Sequence, residues 1–216
     1  MSTVSGGRDE LVMAWGRGWA RSRGVPALVH VPGGFRVDVD RPGHRVRYVL
    51  HTWDRPYLRE LGFRVTTPGA WIKVDGSRDA LREALPPHWR MFESNYLMSA
   101  PLTTGAARVP SPYRMEAGTA EAGVLTATVR DRAGEVAASG RIALAGGFGV
   151  VDQVETVPEH RRRGLGAAVI RTLGDRAARR GVRYGVLAAT DEGRALYRAL
   201  GWTVDAELAA AFLPEP

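Results

Sequence analysis

Residues 154–170 read VETVPEHRRRGLGAAVI and bring together the most chemically pointed residue types in the chain. A strand-like segment runs into Pro158, three arginines follow, and two glycines open a helix. Gly164 and Gly166 let the backbone come close to a ligand. The first N–H groups of a helix have no partner inside it. Its dipole adds partial positive charge, worth roughly 0.3–1 kcal/mol for an anionic group at that end. With Arg161, Arg162 and Arg163 around it, this arrangement suits a phosphate or pyrophosphate. The competing reading is a basic loop whose glycines only turn the chain. The stretch is not a dinucleotide fingerprint, because it lacks the third glycine and follows an antiparallel pattern. It is not a P-loop, because no Gly-Lys-Ser/Thr occurs.

The elements that must position this stretch can be read from periodicity. Residues 124–131 and 135–144 read as strands around the turn 132–134, and 149–157 as a third strand after the turn at 145–147. Residues 113–118 precede them as a first strand. A helix starts at 164 with Leu165, Val169, Leu173 and Ala177 on one stripe, stopped by Gly181. Residues 182–189 read as a buried strand. Thr190 and Asp191 offer cap oxygens to a short helix ended by Gly201. Residues 202–204 start one strand and 207–213 form another. The first half reads as a helix over 8–22 with Leu11, Trp15 and Trp19 on one face, a Pro/Gly-rich loop over 24–35, and a strand over 45–50. Then come a helix capped by Asp54 and stopped by Gly62, a strand over 70–74, a helix capped by Ser77, and a strand over 89–98. Residues 99–112, rich in Pro, Ser, Thr and Gly, mark a boundary between 1–110 and 111–216.

Composition narrows the chemistry. The chain has 216 residues, enough for a core without staples. With no cysteine, disulfides, thiolate-bound zinc and a thiol nucleophile are excluded. No apolar run approaches the ~18 residues of a membrane span. The first 24 residues carry scattered charge rather than an apolar core, so a secretory signal is not expected and the cytoplasm is the expected location. The net charge is +7, and of 30 basic residues only Lys73 is a lysine. Such an arginine excess fits either a compositional bias or an affinity for anions. No RRM, helix-turn-helix or zinc-finger signature points to nucleic acid. His30, His44, His51 and His88 lack metal-ligand spacing, and no metal is expected.

At residues 161–166, RRRGLG resembles the R/Q-x-x-G-x-G/A signature of the Gcn5-related N-acetyltransferase (GNAT) superfamily. The run 191–202, DEGRALYRALGW, is similar to its second motif. The resemblance covers about residues 112–213. It implies an α/β (α+β) fold with a mixed, mostly antiparallel central sheet flanked by helices, and an acetyl-CoA cosubstrate. Backbone amides from Arg162 through Gly164, Leu165 and Gly166 to Ala167 would hold the pyrophosphate. Backbone groups of Val154, Glu155 and Thr156, on a bulged and splayed strand, would pair with the pantetheine arm. An N–H near Thr156 would polarise the acetyl carbonyl. Tyr197 falls where the family often places the acid that reprotonates the leaving thiolate. Thr190 stands where many members have an asparagine.

The implied activity is acetyl transfer to a small-molecule or peptide amine by direct attack, with no covalent enzyme intermediate. Asp152, Glu155 and His160 are the candidates for the base. The helices that usually shape the acceptor site have no room between the first two strands of this half. Residues 1–110, a degenerate copy of the same fold by its pattern, must supply that wall. Trp15 and Trp19 are candidates to line it, although six tryptophans read first as core. The alternative is a non-catalytic acyl-CoA-binding module. Neither nucleic acid nor membrane is expected as a partner, and a homodimer built on a strand edge is compatible with the fold.

Overall fold

The computed structural model describes residues 7–105, 107–121 and 123–215. Residues 1–6 of the N-terminal stretch and Ala106 of the expected boundary segment lie outside it. In chain order the elements are α1 (Arg8–Arg23), β1 (Val29–Val31), β2 (Gly34–Arg41), β3 (His44–Leu50), α2 (Arg55–Arg64), β4 (Ala70–Asp75), α3 (Arg78–Ala84) and β5 (Arg90–Pro101). Then follow β6 (Arg114–Glu121), β7 (Val124–Arg130), β8 (Val136–Ala145), β9 (Phe148–Thr156), α4 (Leu165–Ala178), β10 (Tyr184–Ala189), α5 (Asp191–Ala199) and β11 (Thr203–Phe212).

All eleven strands form one sheet in the order β1-β2-β3-β4-β11-β5-β10-β9-β8-β7-β6. Neighbours are antiparallel except β3/β4 and β9/β10. Each parallel pair is joined through a helix, as a parallel connection requires. The path β-β-α-β-α-β therefore occurs twice, once through β2–β5 and once through β8–β11. The closing strands are exchanged: β11 pairs with β4, and β5 pairs with β10. These two strands also pair with each other along the middle of the sheet.

The sheet curls. Helix α1 touches β2 and β3 on one side and β8, β9 and β10 on the other, although these strands are far apart in the sheet order. Two buried glycines permit that fit. A Cβ on Gly16 would lie 2.3 Å from the Phe35 ring, and one on Gly18 would lie 2.3 Å from Val150. Leu11, Trp15 and Trp19 pack there with Phe35, Val49, Leu97, Val150 and Val186. Helix α4 covers the opposite face, where Leu165, Val169 and Leu173 meet Leu125, Ile142, Val151 and Leu187. Helices α2 and α3 bury Leu58, Leu61 and Leu81 against Ile72 and Ala209. Among the described residues no helix is long and apolar enough to cross a membrane.

Several elements differ from the sequence reading. The loop expected over 24–35 contains β1, and β2 begins inside it at Gly34. Phe35, Val37 and Val39 are buried there and alternate with charged Arg36, Asp38 and Asp40. Gly62 does not stop α2. It lies within the helix, and its carbonyl accepts a 2.9 Å hydrogen bond from Trp89 Nε1. The strand expected to end at 98 runs to Pro101, inside the segment read as a boundary. The two strands expected at the end are one, β11, kinked by register shifts at Asp205 and Ala209 against β5.

Candidate functional site

Strands β9 and β10 pair at only three positions, from Phe148↔Tyr184 to Val150↔Val186, and then diverge. At the divergence β9 carries a bulge. Gln153 has a φ of 53°, and the register against β8 shifts between Arg141 and Ser139. A bulge of this kind re-aims the residues after it. Asp152 and Val154 therefore face opposite sides of the sheet, whereas strict alternation would have put them together. Asp152 bonds Arg23 of α1, and Val154 packs on the α4 side.

The divergence opens a cleft of about 1010 Å³. Val154, Glu155 and Thr156 line one wall, and Thr190 and Tyr197 with the start of α5 line the other. Arg161, Arg162, Gly164, Leu165, Gly166 and Ala167 close the end at the N-terminus of α4. That terminus has no side-chain cap. Gly164 adopts a φ of 77° and a Cβ there would face open space. A Cβ on Gly166 would press to 3.3 Å from Leu196 and 3.6 Å from Thr156 Oγ1. Uncapped N–H groups, a left-handed turn and two arginines fit a diphosphate.

The matching place in the first half differs in two respects. There β3 and β4 stay paired through five positions, from Val46↔Ala70 to Leu50↔Val74 at the end of β3, so the two strands do not splay. Asp54 caps α2 by accepting a 3.1 Å bond from the Tyr57 N–H, which already places a carboxylate at that helix end.

The remaining candidates from the sequence have these positions. Arg163 does not line the cleft: its guanidinium donates to Tyr113 Oη at 2.8 Å and to the Glu159 carbonyl at 3.1 Å. Arg161 donates to the Thr156 carbonyl at 3.3 Å, which ties the arginine loop to the end of β9. His160 is engaged by Tyr113 at 2.9 Å. Thr190 Oγ1 accepts from the Gly193 N–H at 3.1 Å as the cap of α5, leaving its proton available to a ligand. Glu155 is exposed on the cleft rim and forms no ion pair among the described residues. Tyr197 packs at 5.8 Å against Trp202. Burial, helped by the charge of Asp152, pushes its phenol up to about 12.

With this geometry in view, the sequence matches the acetyltransferase (GNAT) family over residues 89–202, more than half of the chain. The chain belongs to the GNAT family. Among solved structures this GNAT protein is similar to a Gcn5-related N-acetyltransferase from Kribbella flavida. The TM-score is 0.70 at 17% identity, covering 99% of this chain and 98% of that one. It is also similar to a Gcn5-related N-acetyltransferase from Sphaerobacter thermophilus, with a TM-score of 0.61, 14% identity, and 83% and 76% coverage. A tandem GNAT protein from the clavulanic acid biosynthesis pathway aligns with a TM-score of 0.55 and 14% identity over 66% of this chain and 62% of that one. At these identities the likeness is one of fold. No curated protein matches the sequence.

On the far face of this GNAT sheet, beneath the C-terminal end of α1, lies a cluster that no motif announced. Arg23 and Arg47 lie over the same ring, Trp19, at 5.3 and 4.6 Å from its centroid. Lys73 is buried, and its ammonium donates to Asn95 Oδ1. Asn95 in turn donates to the carbonyl of Ala189, the last residue of β10, at 3.4 Å. Burial, with Arg47 and Arg23 nearby, pushes Lys73 down to about 7. Burial and Arg23 pull Arg47 down to about 10.

Proposed function

We propose that this protein is an N-acetyltransferase that takes its acetyl group from acetyl-CoA. The observation that carries the reading is the splayed β9/β10 cleft ending on the uncapped N-terminus of α4. Acetyl-CoA supplies the activated thioester. Backbone N–H groups from Arg162 to Ala167, with Arg161 and Arg162 beside them, hold its diphosphate. Backbone groups of Val154, Glu155 and Thr156, unpaired toward β10 by the splay, bond the pantetheine arm, and the Thr190 hydroxyl donates from the other wall. An N–H at or after the Gln153 bulge polarises the acetyl carbonyl.

In the transfer a nitrogen–carbon bond forms between the acceptor amine and the acetyl carbon, and the carbon–sulfur bond breaks. The amine loses one proton and the sulfur gains one. Tyr197 keeps its proton throughout the neutral range and donates it to the departing sulfur. Glu155, which lines the cleft together with Glu192, takes the amine's proton, directly or through water. Asp152 gives both oxygens to Arg23 and serves to hold α1 at the site. Residues 1–110 act as a degenerate half that supplies the acceptor wall through α1, β3 and β4, while 111–216 bind the cosubstrate.

Thermal unfolding with acetyl-CoA, with NAD and ATP as controls, tests the cosubstrate. Saturation at about 100 times Kd stabilises by about 2.7 kcal/mol, which for a chain of this size is a shift of roughly 5–10 °C. No shift at saturating acetyl-CoA removes the reading.

A further inference from the structure

The cluster beneath α1 has more positive charge than the protein neutralises. Arg23, Arg47 and Lys73 converge there, and the carboxylate facing them is Asp152, both of whose oxygens are taken by Arg23. Arg47 Nε is buried and has no hydrogen-bond partner among the described residues. Its other contacts are the Trp19 face and a 3.4 Å approach to His44 Nδ1. Among the described residues Lys73 meets only a neutral amide oxygen. Buried cations without counter-charge are unfavourable, and a guanidinium held flat on an indole keeps its fork ready for a planar anion. Burial first, and then the neighbouring cations, depress Lys73 and Arg47, as expected of a buried cluster short of negative charge.

We propose that the acceptor is an amine that also carries a carboxylate, and that Arg47 and Lys73 bind this carboxylate beneath the C-terminal end of α1. The position follows from connectivity. Lys73 reaches the end of β10 through Asn95, and Thr190, the next residue of that chain segment, lines the cosubstrate cleft. Trp19 provides the apolar floor. An acceptor bound there has its acid held inside the curl of the sheet and its amine free to meet the acetyl group. The inference rests on the acetyl-CoA reading above and specifies its second substrate.

The test uses the full chain with acetyl-CoA and a panel of L-α-amino acids and ω-amino acids. Each acid is offered beside its carboxamide and its decarboxylated amine, and CoA release and product mass are followed. The expected result is a preference for the acid over its carboxamide of about 100-fold in kcat/KM, carried mainly by KM. In Arg47→Met that preference falls to under about 10-fold. Retention of the acetyl-CoA thermal shift shows that this variant is folded. Should it not fold, Lys73→Met is measured in its place, with the same loss of preference expected. Equal use of acids and carboxamides, an unchanged preference in the folded variant, or no turnover of any acid by a protein that binds acetyl-CoA overturns the inference and leaves the cosubstrate reading standing. Absence of the acetyl-CoA shift in the unmodified protein overturns both.

Discussion

Arg23 donates through Nε and Nη2 to the two carboxylate oxygens of Asp152, both at 2.9 Å. The pair joins the last residue of α1 to β9 immediately before the bulge, so the first helix of the chain is latched to the strand that opens the cleft. It is partly shielded, with side-chain exposures of 32% and 11%. Asp152→Ala leaves Arg23 and Arg47 facing each other without a carboxylate. The expected loss is about 2 kcal/mol, below the range for fully buried pairs because Arg23 reaches solvent. Urea unfolding checks this. A loss under about 0.5 kcal/mol, as for an ordinary surface pair, would show that the latch does not matter.

Tyr197→Phe removes the proposed proton donor but keeps the ring against Trp202. The expectation is a fall in kcat on the order of 100-fold or more, with acetyl-CoA affinity within about twofold of the parent. The unmodified phenol, raised to about 12, remains protonated from pH 7 to 10. Activity therefore does not fall in that window through loss of this acid, and a Tyr197-dependent alkaline decline centred near pH 9 would contradict the assignment.

Lys73 makes stability depend on pH in a defined direction. Its folded value near 7 lies below its ordinary 10.5. Between these values the unfolded chain binds a proton that the folded chain does not, so this residue makes stability rise with pH across that window. From pH 6 to pH 9 its contribution is a gain of about 2–3 kcal/mol. Denaturant unfolding of the parent and of Lys73→Met at both pH values isolates it. The variant is expected to be the more stable protein at pH 6, by a margin that narrows at pH 9. Parallel curves for the two proteins would rule the effect out.

Gly164→Ala places a side chain at a φ of 77°, where L residues are strained. The expected destabilisation is about 1 kcal/mol, with a drop in acetyl-CoA affinity of at least about tenfold as the turn relaxes away from the diphosphate. Calorimetric titration would read the second effect. Unchanged affinity would mean that the turn does not shape the anion site.

Much of the proposed cosubstrate cleft was legible because it is local. Arg161 to Ala167 form one turn and the start of one helix, and Thr190 to Tyr197 another, so spacing along the chain translates directly into proximity. Strand β2 is absent from the sequence reading although Phe35, Val37 and Val39 alternate with charged residues, because the prolines and glycines before it favour a loop. The faces of β9 could not be counted from alternation because the bulge at Gln153 reverses them. The acceptor cluster had no such signature. Trp19, Arg47, Lys73, Asn95 and Asp152 come from five elements and meet only because the sheet curls around α1. Its sole hint was a single lysine within the apolar strand AWIKV.

The exchange of β5 and β11 also governs how the protein can be made. During synthesis β4 and β5 leave the ribosome long before the strand that belongs between them. Strand β11 follows the other ten strands of the sheet, yet it fills the centre, with Leu208, Ala209, Ala210 and Ala211 fully buried. The nascent first half must therefore present two unsatisfied strand edges, an aggregation hazard, until the C-terminal strand is inserted. Each half is completed by a strand of the other, and either half made alone would lack the strand that finishes its part of the sheet.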